Sequence, residues 1–163
     1  DRCREISPLL IKGEEYIMVN IPSFELTYVK NGKVKLASEV FVGAELTKTV
    51  IFNAEMEKIV FSPYWTIPQS IVKNELSLKI ASDKNYLVDH NMEWVNGQVR
   101  QKPGPENSLG LVKFYMPNPY DIYMHDTPSK TLFDFEKRTF SHGCINIKKA
   151  KELAVALLED YPE

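Results

Sequence analysis

The dipeptide Asn31-Gly32, set between the apolar and β-branched runs Phe24 to Lys30 and Lys33 to Val42, constrains the fold of this chain more than any other local feature. Two residues that tolerate positive φ make a tight turn whose twist matches that of the flanking strands, so the runs are expected to pair as an antiparallel hairpin. Tyr16 to Ile21 precedes the hairpin as a further strand. Val50 to Asn53 and Lys58 to Ser62 follow as two more, the second ended by Pro63, which has no N–H to give to a ladder. Five short strands with turn signals between them point to a sandwich or barrel.

The texture then changes. Pro68 suits a first helical turn, and Gln69 to Ala81 is expected to form one or two short helices. Tyr86-Leu87-Val88 follows, then Met92 to Arg100 around a second turn at Asn96-Gly97, then Lys102-Pro103-Gly104-Pro105, which is neither helix nor central strand. Mixed helix, hairpin and proline loop inside a β-domain read as an insertion. Strand character returns at Leu109 to Met116 and Tyr120 to His125, separated by the loop Pro117-Asn118-Pro119. Ala150, Leu153, Ala154, Leu157 and Leu158 recur at the spacing of one helical face, so the chain is expected to close with a helix.

With 163 residues, 44% of them hydrophobic, the chain suffices for one domain with a sizeable core. Twenty Lys and Arg against 22 Asp and Glu leave a net charge of -2, which gives no overall basic balance for nucleic acid or an anionic membrane. Lys148, Lys149 and Lys151 form only a local cluster, read as a solvated face. There is no apolar run long enough to span a bilayer, and Asp1-Arg2-Cys3-Arg4 lacks the apolar segment of a signal peptide. A chain opening on Asp1 reads as a fragment, with any export signal outside it.

Two cysteines have unlike surroundings. Cys3 lies among charged residues, whereas Cys144 sits between Gly143 and Ile145, close ahead of the expected helix. A disulfide between them is arithmetically possible but would silence the better nucleophile. A thiolate attacks carbonyls, and Gly143 permits a sharp turn from which the amides of His142, Gly143 and Cys144 could meet an oxyanion. The alternative is an inert cysteine packed by Ile145 and Ile147. His142 is too close in sequence for good side-chain geometry with Cys144. His125, at the end of a strand, could reach it from a neighbouring strand, with Asp126 orienting the ring through its carbonyl or its carboxylate. A zinc site drawn from His90, His125, His142 and Cys144 lacks the usual pair of close ligands, so no metal or cofactor is expected. A phosphate-binding loop and a Gly-x-Ser-x-Gly elbow are both absent from the sequence.

His125, fifteen intervening residues, and then Ser141-His142-Gly143-Cys144-Ile145-Asn146 resemble the signature of the L,D-transpeptidase catalytic domain of the YkuD type. Val19-Asn20-Ile21-Pro22, Phe61-Ser62-Pro63-Tyr64-Trp65-Thr66-Ile67-Pro68, the stretch from Arg100 to Gly110, and His125-Asp126-Thr127-Pro128 resemble its larger periplasmic, YcbB-like branch. That branch often carries Ser-Ser-Gly-Cys-Val-Arg, where this chain has His142 and Asn146. The resemblance implies a mainly β, α+β fold: a YkuD-type β-sandwich over residues 1–163, with a capping insertion at about 64–107 and a C-terminal helix. It implies acyl transfer on peptidoglycan in the periplasm or cell envelope. Cys144 would attack a stem tetrapeptide at its third residue and release D-alanine, and His125, held by Asp126, would serve as base. The amides of His142, Gly143 and Cys144 would form the oxyanion hole, and an amine of a second stem would complete a 3→3 cross-link. Tyr123, Trp65, Ser141 and Asn146 would contact substrate, and carbapenems would acylate the cysteine. An L,D-carboxypeptidase or other cysteine peptidase, and a non-catalytic wall-binding module, are the competing readings.

Overall fold

A computed structural model describes residues 15–161. The opening meander forms as the local chemistry demands. β1 (Glu15–Asn20), β2 (Glu25–Lys30) and β3 (Lys33–Gly43) pair antiparallel in turn, and Lys30 lies opposite Lys33 across the turn. Asn31 and Gly32 take φ of 52° and 70°, the left-handed pair that a two-residue hairpin of this twist requires.

β3 is eleven residues long and serves two parts of the sheet. Its first part pairs with β2, Val40 and Phe41 pair with β11 (Ile145–Ile147), and Val42 pairs with Thr139 of β10 (Thr139–Ser141). A strand that changes partners along its length bends the sheet around it. The result is one curled, eight-stranded sheet in the order β1-β2-β3-β11-β9-β8-β4, with β10 beside β3; β4 is Lys58–Phe61, β8 Val112–Tyr115 and β9 Met124–His125. Leu26, Tyr28, Val40, Val112, Phe114, Met124, Ile145 and Ile147 fill its inner face. The terminal helix, here α4 (Ala150–Leu158), adds Ala150, Leu153 and Ala154 to that core from the expected stripe.

Residues 65–101 build a separate unit. β5 (Trp65–Thr66), β6 (Met92–Val95) and β7 (Gln98–Gln101) form a three-stranded sheet in the order β5-β7-β6. α1 (Gln69–Ile71), a π-helical turn Val72–Leu76 and α2 (Ser77–Ser82) run on as one helical stretch, followed by α3 (Tyr86–Asp89). Ile67, Val72, Leu76 and Val99 make a second small core, against which Trp65, Ile71, Ile80, Tyr86, Leu87 and Met92 pack. A buried Asn107 staples the base of this unit, its amide donating to the carbonyls of Pro63 and Lys102.

Two local expectations change. Val50 to Asn53 is not a strand: Ile51 is exposed, and Phe52 reaches the main core from an irregular segment, its ring 5.8 Å from that of Tyr120. Tyr120 to His125 is strand only at Met124 and His125. Asp121 has φ of 53°, and the Asn118 side chain captures the amides of Tyr120 and Ile122, so a turn replaces the start of the ladder. α4 begins at Ala150, shortly after Ile147 as expected, so the three residues of β11, about 10 Å of extended chain, stand between it and Cys144.

Candidate active site

Alternation and register assemble the site. β9 and β11 run parallel, with Met124 opposite Ile145 and His125 opposite Asn146, and the Ile145 amide donates to the Tyr123 carbonyl at 3.0 Å. β8 lies antiparallel on the other side of β9, placing Lys113 opposite His125 and Phe114 opposite Met124. Successive residues of a strand face opposite ways. Val112, Phe114, Met124, Ile145 and Ile147 therefore turn into the core, and Lys113, Tyr123, His125, Cys144 and Asn146 share the other face.

His125 is buried, and its Nδ1 donates to the Asp126 carbonyl. That bond commits Nδ1 to carrying a proton, so in the neutral ring Nε2 holds the lone pair. Burial pushes its pKa down from 6.5 to about 4, against the pull of the Asp126 carbonyl, and Lys113 adds to the fall. The Asp126 carboxylate is engaged elsewhere: Oδ1 accepts from Lys130 Nζ at 2.6 Å and Oδ2 from the Leu111 amide at 3.0 Å. Burial works to raise this carboxyl, but those bonds outweigh it and hold it below the ordinary range. Asp126 also explains Gly110, where φ is 60° and a Cβ would collide with the Asp126 side chain.

Cys144 carries a free thiol. Sγ lies 3.9 Å from the Asp121 carbonyl, and the Tyr123 hydroxyl, influenced by Cys144 and Trp65, has its pKa pushed up chiefly by burial. Burial raises the thiol pKa, opposed by hydrogen bonds from Tyr123 and by the charge of Lys113. His125 and Cys144 lie on one face, Cys144 directly ahead of β11 and two residues before Asn146, the register partner of His125. At rest both groups are neutral, so this is not a preformed thiolate and imidazolium pair.

The turn before Cys144 is held from several sides. Gly143 adopts φ of 120°, its amide donates to Ser141 Oγ at 3.1 Å, and Ser141 Oγ donates to the Cys144 carbonyl at 2.6 Å. Thr47 Oγ1 donates to the Ser141 carbonyl, and Thr49 Oγ1 to that of Gly143 while accepting from the Gly43 amide. Ser141, expected to meet substrate, thus has its hydroxyl occupied within the turn. Asn146, expected in the same role, is buried and turns Nδ2 toward the Cys144 carbonyl at 3.4 Å. The Gly143 amide, expected in the oxyanion hole, is likewise engaged by Ser141. His142 points away from the thiol, its Nε2 2.6 Å from Oε1 of Glu75 on the π-helical turn.

The structure thus brings His125, Asp126, Cys144, Tyr123 and Trp65 together. It adds Lys113, Thr47, Thr49 and Asp121, which sequence reading did not single out. Lys113 does alternate between Val112 and Phe114, the one local sign of its outward aim. Cys3, and any bond it makes, lies outside the described residues. Among the described residues, no group of three or more His, Cys, Asp or Glu could hold a metal ion, and no helix is long and apolar enough to cross a membrane.

Comparison with known proteins bears on the family and the fold. The family described as the L,D-transpeptidase catalytic domain, YkuD, matches residues 14–161. A Haemophilus influenzae protein named "Putative L,D-transpeptidase" is 33% identical over 88% of this chain, which spans only 34% of that relative. Two solved structures share the fold. An L,D-transpeptidase from Mycobacterium smegmatis has a TM-score of 0.53 at 13% identity, covering 89% of this chain and 54% of its own. The Ldtfm carbamoyl enzyme formed with avibactam has a TM-score of 0.51 at 20% identity, covering 86% and 44%.

Proposed function

From a chain that belongs to the L,D-transpeptidase catalytic domain family, we propose a peptidoglycan transpeptidase of the YcbB-like branch, acting in the cell envelope and forming 3→3 cross-links through a Cys144 thioester. The observation that carries this reading is the placement of Cys144 and His125 on one face of adjacent parallel strands, with Nδ1 of His125 committed to the Asp126 carbonyl. The ring then offers Nε2 as base.

In this mechanism, rotation about the Cys144 side chain swings Sγ from the Asp121 carbonyl toward Nε2. A thiol kept neutral by burial and an imidazole kept neutral by burial exchange the proton as Sγ attacks, so no ion pair is held at rest. Sγ bonds to the carbonyl carbon at the third position of a tetrapeptide stem. The oxygen gathers charge against the amides of Cys144 and His142, since that of Gly143 is engaged by Ser141. The protonated ring then gives its proton to the departing D-alanine nitrogen. An amine of a second stem, deprotonated by Nε2, attacks the thioester and regenerates the thiol. Tyr123 and Trp65 line the approach, and Ser141 and Asn146 act by shaping the Cys144 turn. Residues 65–101 act as a cap, joined to the nucleophile's turn through His142 and Glu75. A cap that holds an amine and excludes water favours transfer over hydrolysis.

The test is intact mass after incubation with a carbapenem. One covalent adduct on the parent protein and none on Cys144→Ala is expected. An unmodified parent, or an adduct that survives the substitution, refutes the reading. With a diamino-acid tetrapeptide as sole substrate, a cross-linked dimer is expected; tripeptide and D-alanine alone would assign a carboxypeptidase.

A further inference from the structure

The outward face of the sheet continues past His125. Lys58 pairs with Tyr115 and Val60 with Lys113 across β4 and β8, so these four side chains fall on one face. With Pro63 and Tyr64, from the segment leading into β5, they line a cavity of about 270 Å³. The cavity adjoins the candidate active site through Lys113. That ammonium lies 3.8 Å over the Tyr123 ring, its residue is paired with His125, and its charge is felt by the Cys144 thiol. Arg100 braces the far wall, its guanidinium 4.1 Å over the Tyr64 ring and its charge met by Glu93.

Two lysines therefore face one cavity. Among the described residues neither has a carboxylate within ion-pair distance. Lys113 is half-buried, and burial works against its charge, pushing its pKa down. A half-buried cation without a counter-ion costs stability that a hydrophobic residue at the same place would not. Aromatic walls, an apolar patch at Val60 and two convergent cations suit a small organic anion.

We propose that this cavity is an anion subsite of the acyl-transfer centre, in which Lys113 and Lys58 receive a carboxylate of the donor stem peptide. The proposal rests on the acyl-transfer reading above. Beside the scissile bond a donor stem bears such a group at two places, the carboxyl terminus of the departing residue and the side chain of a third residue that is a diamino diacid. Lys113, beside the thiol, makes the nearer contact; the exposed Lys58 closes the cavity from β4.

The experiment compares tetrapeptide donors whose terminal or side-chain carboxyl is free or amidated. On the parent protein, amidation of one of the two carboxyls should lower kcat/KM about tenfold, the scale of a lost charge-assisted bond, and that carboxyl identifies the source. Lys113→Met should remove the preference, its free-to-amidated ratio of kcat/KM falling about tenfold beside any loss common to both donors, and Lys113→Arg should retain it. Lys58→Met, at an exposed position, gives a smaller loss of the same kind and covers a failure of Lys113→Met to fold. Equal losses on free and amidated donors, or no preference in the parent, overturn the proposal.

A second arm does not depend on transpeptidation. The rate of alkylation at Cys144 by iodoacetate relative to iodoacetamide, read on the Cys144 peptide, should fall severalfold in Lys113→Met. If that ratio falls while no donor is turned over, the anion subsite stands and the transpeptidase reading fails. If donors are turned over but neither the ratio nor the donor preference responds to Lys113→Met, the transpeptidase reading stands and the subsite is wrong.

Discussion

His125 meets opposed demands, and its surroundings show which prevails. A general base must be unprotonated when the thiol arrives, and burial favours the neutral ring more strongly than the Asp126 carbonyl favours the charged one. The same shift has a stability consequence. Between pH 6.5 and about 4 the unfolded chain binds a proton at this histidine that the folded chain does not, so stability falls as pH falls through that window. The loss should approach roughly 3 kcal/mol, at about 1.4 kcal/mol per pH unit, and His125→Gln should flatten that part of the curve. Urea unfolding of both proteins at several pH values measures it; parallel curves would contradict it. The two histidines should also separate in acylation rate. His125→Ala is expected to cost about 10²- to 10⁴-fold, the usual range for a lost general base. His142→Ala should cost much less, because its ring faces Glu75 and its proposed contribution is an amide. Comparable losses in stopped-flow carbapenem acylation would reassign the base.

At the scale of elements, short strands place the chemistry and loops tune it. β9 and β11 contribute two and three residues, yet their parallel pairing aligns His125 with Asn146 and brings Cys144 to the level of Tyr123. Side chains do the rest: the hydroxyls of Thr47 and Thr49 clamp the turn before Cys144, and the Leu111 amide holds Asp126. Gly110 is the tightest point of this support. Gly110→Ala forces a Cβ into Asp126 at a residue with φ of 60°, and should destabilise the protein by about 1–3 kcal/mol. It should also slow acylation, because a displaced Asp126 carbonyl releases the His125 ring. A urea midpoint and an acylation rate both equal to the parent's would rule this out.

At the scale of the whole molecule, two hydrophobic clusters divide the labour. The main cluster takes its residues from the curled sheet and α4, and the smaller one from residues 65–101. Replacing 66–100 by a short Gly-Ser linker should leave a cooperatively folding body. It should raise thioester hydrolysis relative to aminolysis severalfold, because the proposed cap no longer shields the thioester from water. Loss of folding, or an unchanged partition between water and amine, would count against a cap. The sequence by itself determined the meander, the terminal helix and the irregular middle, and it pointed to Cys144 and His125 as the candidate nucleophile and base. Turn propensity, helical spacing and a short signature are local properties of the chain. It misjudged Val50 to Asn53 and Tyr120 to Tyr123, where apolar residues found the core without a ladder and the Asn118 side chain captured the backbone amides. Only the tertiary structure decided that Lys113 stands beside His125, that Thr47 and Thr49 clamp the turn before Cys144, and that His142 faces Glu75. Each depends on strand register or on a contact between residues far apart in the chain, and pairing energies summed over whole strands, not the preferences of single residues, set them.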